Sequence, residues 1–187
     1  MADLQAQLLT GGDLLEITAQ NPDRHYELVA GEVIELSPPG IEHAQVENLT
    51  AYLLTAFNKQ ARLGRVLTGE AGFYTRSDET TVRAADVAFI SYQRLPAEQT
   101  NPGYGRVAPE LVVEVVSPHD RADKIEEKVQ EWLDFGVLLV WVIYPQTRRI
   151  HVFQSGQPVL ILRAGETISA DPALPGFCAP VIEFFSG

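Results

Sequence analysis

Cysteine is almost absent from this chain. Cys178 stands alone among 187 residues, so no intrachain disulfide can form, and a reducing cytoplasm is the simplest compartment. Positive charge is scarce too: 14 lysines and arginines face 25 aspartates and glutamates, a net charge of −11. Nucleic-acid binding normally uses basic surface to displace counterions, so bulk charge argues against it here. Such a partner would need a local basic patch or bridging metal ions. Long apolar runs are missing; the longest, Val137–Ile143, is far too short to cross a membrane. The opening MADLQAQLLTGGDLLEI has no basic segment leading into an apolar core, which predicts no secretory leader. There is also no GxSxG, no phosphate-binding glycine loop and no zinc-spaced Cys/His set. Neither an internal repeat nor a linker-like stretch interrupts the chain. With 45% hydrophobic residues, the length fits one domain over residues 1–187 with a sizeable core.

What is present is organised around Pro109–Pro145. Two apolar runs, Leu111–Val116 and Val137–Ile143, flank a charged middle of helical period. That is a strand, a crossover helix and a parallel strand. Before it, a short helix is expected over 12–20 with Asp13 as N-cap. Tyr26–Val29 and Glu32–Leu36 read as a hairpin about Ala30-Gly31. A long helix over 42–62 carries the stripe Val46, Leu49, Leu53, Phe57. Strands follow at Arg65–Thr68, Gly72–Thr75 and Val82–Ser91, then a long loop over 92–108. After the crossover unit, Arg149–Gln154 and Pro158–Arg163 form a second hairpin, and the tail ends in the apolar Val181–Phe185. The fold class is α/β: a mixed sheet with helices on both faces and antiparallel hairpins at its edges.

Two carboxylates interrupt otherwise apolar strand faces. Val112, Glu114 and Val116 share one face of their strand, and Asp86, Ala88 and Ile90 share one of theirs. On neighbouring strands they can converge, and a divalent cation relieves the repulsion; hard oxygen ligands in small number favour Mg²⁺ or Mn²⁺. The plainer reading pairs each acid with an arginine, such as Arg83 or Arg121. On the crossover helix, Lys128 lies about 40° from Trp132, on the flank of the inner stripe, and can reach along the sheet toward Glu114. A solvated salt-bridge face with Lys124, Glu127 and Glu131 is the alternative. His43, after Pro-Pro-Gly, reads as a cap or surface residue, and Glu27 and Glu32, flanking the hairpin turn, as solvated strand-edge acids. Ser117–Asp120 reads as the loop and N-cap of the crossover helix.

These residues, in this order, resemble the Uma-type restriction-endonuclease family, a branch of the PD-(D/E)XK nuclease superfamily. The resemblance spans nearly the whole chain. Tyr26-Glu27-Leu28 with Gly31-Glu32 looks like the family's opening hairpin, and Ser37-Pro38 with His43 like the entry to its first helix. Arg83–Phe89 and Pro109–Pro118 look like its two acid-bearing strands. Lys128, Trp132 and Gly136-Val137 match its crossover helix. The resemblance implies that Asp86 and Glu114 hold Mg²⁺ (or Mn²⁺), with the Val115 carbonyl as a third ligand. The superfamily's usual lysine position is Val116 here, and Lys128 takes that role from the helix. Glu27, His43, Arg121 and Lys124 are weaker candidates for substrate contact. Ala85 stands where the family has proline, and Ala30 where it has an acid. The implied activity is phosphodiester hydrolysis in DNA by a cytoplasmic, non-membrane protein; the rival is a catalytically inactive nuclease-fold binding module. A homodimer is expected through the tail at Val181–Phe185 and the hairpin about Ser155-Gly156.

Overall fold

The computed structural model describes residues 8–100 and 102–186; the first seven residues of the stretch read above for a secretory leader lie outside them. The elements are α1 (Gly11–Gln20), β1 (His25–Val29), β2 (Glu32–Leu36), α2 (Ile41–Ala61), β3 (Gly64–Tyr74), β4 (Val82–Ser91), β5 (Leu111–Val115), α3 (Ala122–Phe135), β6 (Leu139–Tyr144), β7 (Arg149–Phe153), β8 (Leu160–Arg163), β9 (Thr167–Ser169) and β10 (Cys178–Pro180). The fold is mixed α/β. Eight strands form one sheet, ordered β2-β1-β4-β5-β6-β7-β8 with β3 also on β4. Only β5 and β6 run parallel, joined by α3 as crossover.

The sheet forks at β4. β3 pairs with β4 along its length, from Gly64↔Ser91 to Tyr74↔Val82. A strand has two edges, so β1 and β5 must share the other one. β1 meets it at Val82 and β5 at Val87–Phe89. Residues 83–86 between them face neither strand, and their polar groups must find other partners.

Helices cover both faces. Val46 and Leu54 of α2 pack on Val87, Phe89, Leu111, Val113 and Trp141. On the other face, Val129 and Trp132 of α3 pack on Ala85, Ala88, Val112, Val140 and Val142. Burial on both faces explains the near-continuous Val/Leu/Ile composition of β5 and β6. No described helix is long and apolar enough to cross a membrane.

Several expectations are corrected. Thr10, not Asp13, caps α1; Asp13 is the third residue of the helix, and the two form a reciprocal capping box, which a single acid before an apolar stretch did not reveal. The strands expected at 65–68 and 72–75 are one strand, β3, with a bulge at Gly69-Glu70 where both residues have positive φ (74° and 59°). Arg121 precedes α3 without a side-chain cap, while Asp120 accepts from the Ser117 N–H within the turn. The tail is no exposed patch: Val181 and Phe184 are fully buried, and Phe184 sets its ring edge-on to Trp141 at 5.9 Å. Those two side chains close the α2 face of the core, while Ile182 and Phe185 stay half-buried. In the late hairpin, by contrast, Val159, Leu160 and Ile161 are 46%, 55% and 46% exposed.

Candidate active site

The fork in the sheet is where the predicted residues gather. β5 leaves β4 after Val113↔Val87, so Asp86 and Glu114, which would come next, do not pair with each other, and Glu114 keeps only its register with Val142 of β6. The Asp86 carboxylate fills part of the gap: its Oδ2 accepts from the Val115 N–H at 2.6 Å. His43 Nε2 of α2 lies 3.4 Å from the same oxygen. β4 also changes faces here. Ala85 packs toward α3, whereas Val87 and Phe89 pack toward α2, which puts Asp86 at the seam.

Glu114 faces α3. Its Oε1 accepts from the Trp132 indole N–H and its Oε2 from the Lys128 ammonium, both at 2.8 Å. Lys128 also donates to the Ala84 carbonyl at 2.8 Å and lies 3.0 Å from Glu27 Oε1. The Ala84 N–H donates to that same Glu27 oxygen at 2.9 Å. Thus side chains from β1 and α3 satisfy the edge of β4 that neither β1 nor β5 covers, β3 holding the other edge. The reach of Lys128 follows from its place on the flank of α3, with its stem along the sheet and 21% of the side chain exposed.

The arginines do not pair with the two acids. Arg83 bridges Glu27 and Glu131, and Arg121 pairs with Asp123. Lys124 pairs with Glu127 at the surface; neither it nor Arg121 touches Asp86 or Glu114. Glu27 is not a solvated edge residue: it is 4% exposed. Its partner Arg83 lies 56 residues away, which a local reading cannot see.

Charge is unbalanced in this pocket of the sheet. Burial pushes the Glu114 carboxyl up to about 7; Lys128 opposes this and the Asp86 charge adds to it. Burial alone would lower Lys128, but Glu114, Glu27 and Asp86 outweigh it and raise the ammonium above its ordinary value, so it stays charged. Burial would raise Glu27, yet Lys128 and Arg83 hold it below the usual carboxylate value. Contact with Asp86 raises His43 against the opposing effect of burial. His43 Nδ1 is buried without a hydrogen-bond partner.

Two further acids stand on the α2 side, and sequence reading missed both. Glu47, one helical turn after His43, is raised by burial and then by Asp86. Its spacing from His43 was the available signal. Glu70, on the β3 bulge, also bears on Glu47. His25 Nδ1 lies 2.6 Å from Glu70 Oε2, though not aligned as a hydrogen bond. A bulge cannot be foreseen from a Gly-Glu pair alone.

Among the described residues, no three or more His, Cys, Asp or Glu side chains already cluster as metal ligands. The donor set nonetheless suits a hard cation. Each carboxylate oxygen has two lone pairs, so the bonds to Lys128, Trp132 and Val115 do not exhaust Glu114 and Asp86. Val116 donates to Ile143 of β6 and Val115 to Asp86, so by alternation the Val115 peptide faces β4. Around this point the carboxylates of Glu27, Glu114, Asp86 and Glu131 outnumber the cations of Lys128 and Arg83.

No curated protein matches the chain. A crystal structure described as "a putative nuclease belonging to DUF820 from Anabaena variabilis ATCC 29413" is similar, with a TM-score of 0.79 at 16% identity. The match covers 95% of this chain and 97% of that one; at that identity the likeness concerns the fold. The family Uma2, described as "Putative restriction endonuclease", matches residues 12–181, a span that includes the forked sheet and each of the candidate residues. This chain belongs to the Uma2 family.

Proposed function

We propose that the chain is a Mg²⁺- or Mn²⁺-dependent endonuclease that hydrolyses phosphodiester bonds in DNA. The observation that carries this reading is the reach of Lys128 from the crossover helix to Glu114, beside Asp86, in a buried setting with negative charge in excess. Asp86 and Glu114 would hold the ion, with the Val115 carbonyl as third ligand. Bound there, the ion supplies Lewis-acid polarisation of the scissile phosphate and makes the attacking water more acidic.

The chain's own groups do the rest. Lys128, kept charged by the acids around it, stabilises the negative charge that grows on the phosphate oxygens or orients the attacking water. Trp132 fixes the Glu114 carboxylate in place through its indole N–H. Glu27 and Arg83 hold the Lys128 ammonium and the bare edge of β4 in register. His43 buttresses Asp86.

Plasmid nicking in Mg²⁺, Mn²⁺ and EDTA, with calorimetric Mn²⁺ titration, tests the reading. Cleavage dependent on the ion, and lost with Mn²⁺ binding in Asp86→Asn, is expected. A wild type that binds no Mn²⁺ and cuts neither DNA nor RNA would overturn it in favour of a binding module.

A further inference from the structure

On an acidic chain, the α3 side of β6–β8 stands out as basic and aromatic. Strand register lines up two rows there. One joins the site to the sheet's far edge: Glu114↔Val142, Val142↔His151, His151↔Ile161. The next is Tyr144↔Arg149 and Arg149↔Arg163. Ile150, Val152 and Leu162 point into the core on the α2 side, so Arg149, His151, Ile161 and Arg163 face the other way. α3 covers Val142, but beyond it the surface is open: Arg149 and Arg163 are exposed and Ile161 is 46% exposed.

Two like charges directly opposite on neighbouring strands repel. Even so, among the described residues neither guanidinium has an ion-pair partner. Glu166 is near, but it accepts from the Arg163 backbone N–H instead, and Glu126 lies toward Tyr144. Beside the arginines the rings form a continuous run. Tyr144 and His151 have centroids 4.4 Å apart, and His151 and Phe153 6.5 Å apart. The rings are tilted by 43° and 45° to one another, so each offers a base its own half-buried face rather than one shared plane; unpaired cations beside such rings match a polyanion with stackable bases.

We infer that this face binds single-stranded nucleic acid, its phosphates on Arg149 and Arg163 and its bases against Tyr144, His151 and Phe153. The inference rests on the nuclease reading for its purpose but not for its geometry. From β5 to β8 is three strand spacings, about 14 Å, enough for a few nucleotides on their way past the candidate site. A duplex has its bases stacked inside and cannot use the rings.

The test is fluorescence anisotropy with a labelled single-stranded oligothymidine, an oligouridine and a duplex, all in EDTA so that nothing is cut. Wild type should bind the single strands more tightly than the duplex, and the DNA and RNA arms separate the two sources. Arg149→Ala with Arg163→Ala should lower the salt slope by about 1.4, at roughly 0.7 for each phosphate contact. Arg149→Lys with Arg163→Lys should restore most of it. His151→Ala should weaken binding by roughly 5- to 100-fold if one base stacks there. Equal binding by wild type and the double alanine variant overturns the inference, as does preference for duplex. A shift in oligomeric state by light scattering with unchanged oligonucleotide binding also overturns it, assigning the face to a second copy. Failure of the nuclease reading looks different: oligonucleotide is bound and lost as above, yet no substrate is cut in Mg²⁺.

Discussion

Glu110 and Glu114 sit on the same stretch of chain, four residues apart and both largely buried, yet their surroundings differ. Glu110 accepts from the Ser91 N–H and hydroxyl and lies 3.3 Å from Arg94 Nε. Arg94 Nη1 donates to the carbonyls of Ala108, Pro109 and Gly136. That is one acid, one cation and a closed set of bonds, which clips the 92–108 loop and the end of α3 to the sheet. Glu114 shares Lys128 with Glu27, feels Asp86, and sits where a strand has left the ladder. A balanced buried glutamate supports the fold; an unbalanced one, at a break in the sheet, is available for chemistry.

The sharpest break of this contrast is Asp86→Asn. Removing one charge at the unbalanced end should abolish Mn²⁺ binding and plasmid nicking, while the melting temperature falls little or rises. Loss of folding instead would mean that Asp86 serves chiefly to hold Val115.

Lys128→Met comes next. Cleavage should drop by roughly 10²–10³ with metal binding retained. A pattern reading of Lys128 as partly exposed predicts almost no effect on stability. The structure predicts otherwise, since the substitution takes from buried Glu114 its only cation and from Glu27 one of two, Arg83 remaining; the loss should reach up to about 3–5 kcal/mol by chemical denaturation. Nicking at the wild-type rate would make Lys128 a purely structural cation.

At the balanced end, Glu110→Gln should cost about 1–3 kcal/mol, because Arg94 is left without its carboxylate. Mn²⁺ affinity should stay unchanged, and a change would show that the two ends are coupled. The smallest effect concerns pH. Glu27 is held below its ordinary value of 4.5, so its stabilising contribution is full above that value and fades as pH falls through its folded value. Glu27→Gln should therefore lose stability near neutrality and show a flatter acid limb in denaturation followed from pH 6 to 3.

Much of this was legible in the chain. The hairpin about Ala30-Gly31 was readable because the turn needs left-handed backbone, which Gly31 (φ 81°) supplies easily. α2 was readable from its stripe, and the crossover from two apolar runs around a helical period. Lys128 could be set beside Glu114 because angle around a helix and alternation along a strand are local geometry. What escaped was non-local. Glu27 looked solvated because its partners come from β4 and α3. Glu110 went unremarked because Ser91 and Arg94 reach it across a loop. The tail looked like an exposed patch because nothing in Val181–Phe185 announces that Trp141 waits beneath it. The β3 bulge looked like a gap between two strands.

The first hairpin shares little backbone pairing with the sheet, and the side chain of Glu27, on Arg83, Ala84 and Lys128, does much of the holding. β1 meets β4 at the single register pair Leu28↔Val82, supplemented by the bonds of Gly31 to Thr80 and of Ala30 to Thr81. β4 itself is held along its whole length by β3. The hairpin is therefore the section that should open ahead of global unfolding, with β1 amides exchanging with deuterium sooner than those of β4 and β5. Glu27 travels with it. Each opening would leave Lys128 with Glu114 as its nearest carboxylate and uncover the Ala84 peptide, so the charge of the cleft would flicker on the timescale of a local fluctuation rather than of the reaction.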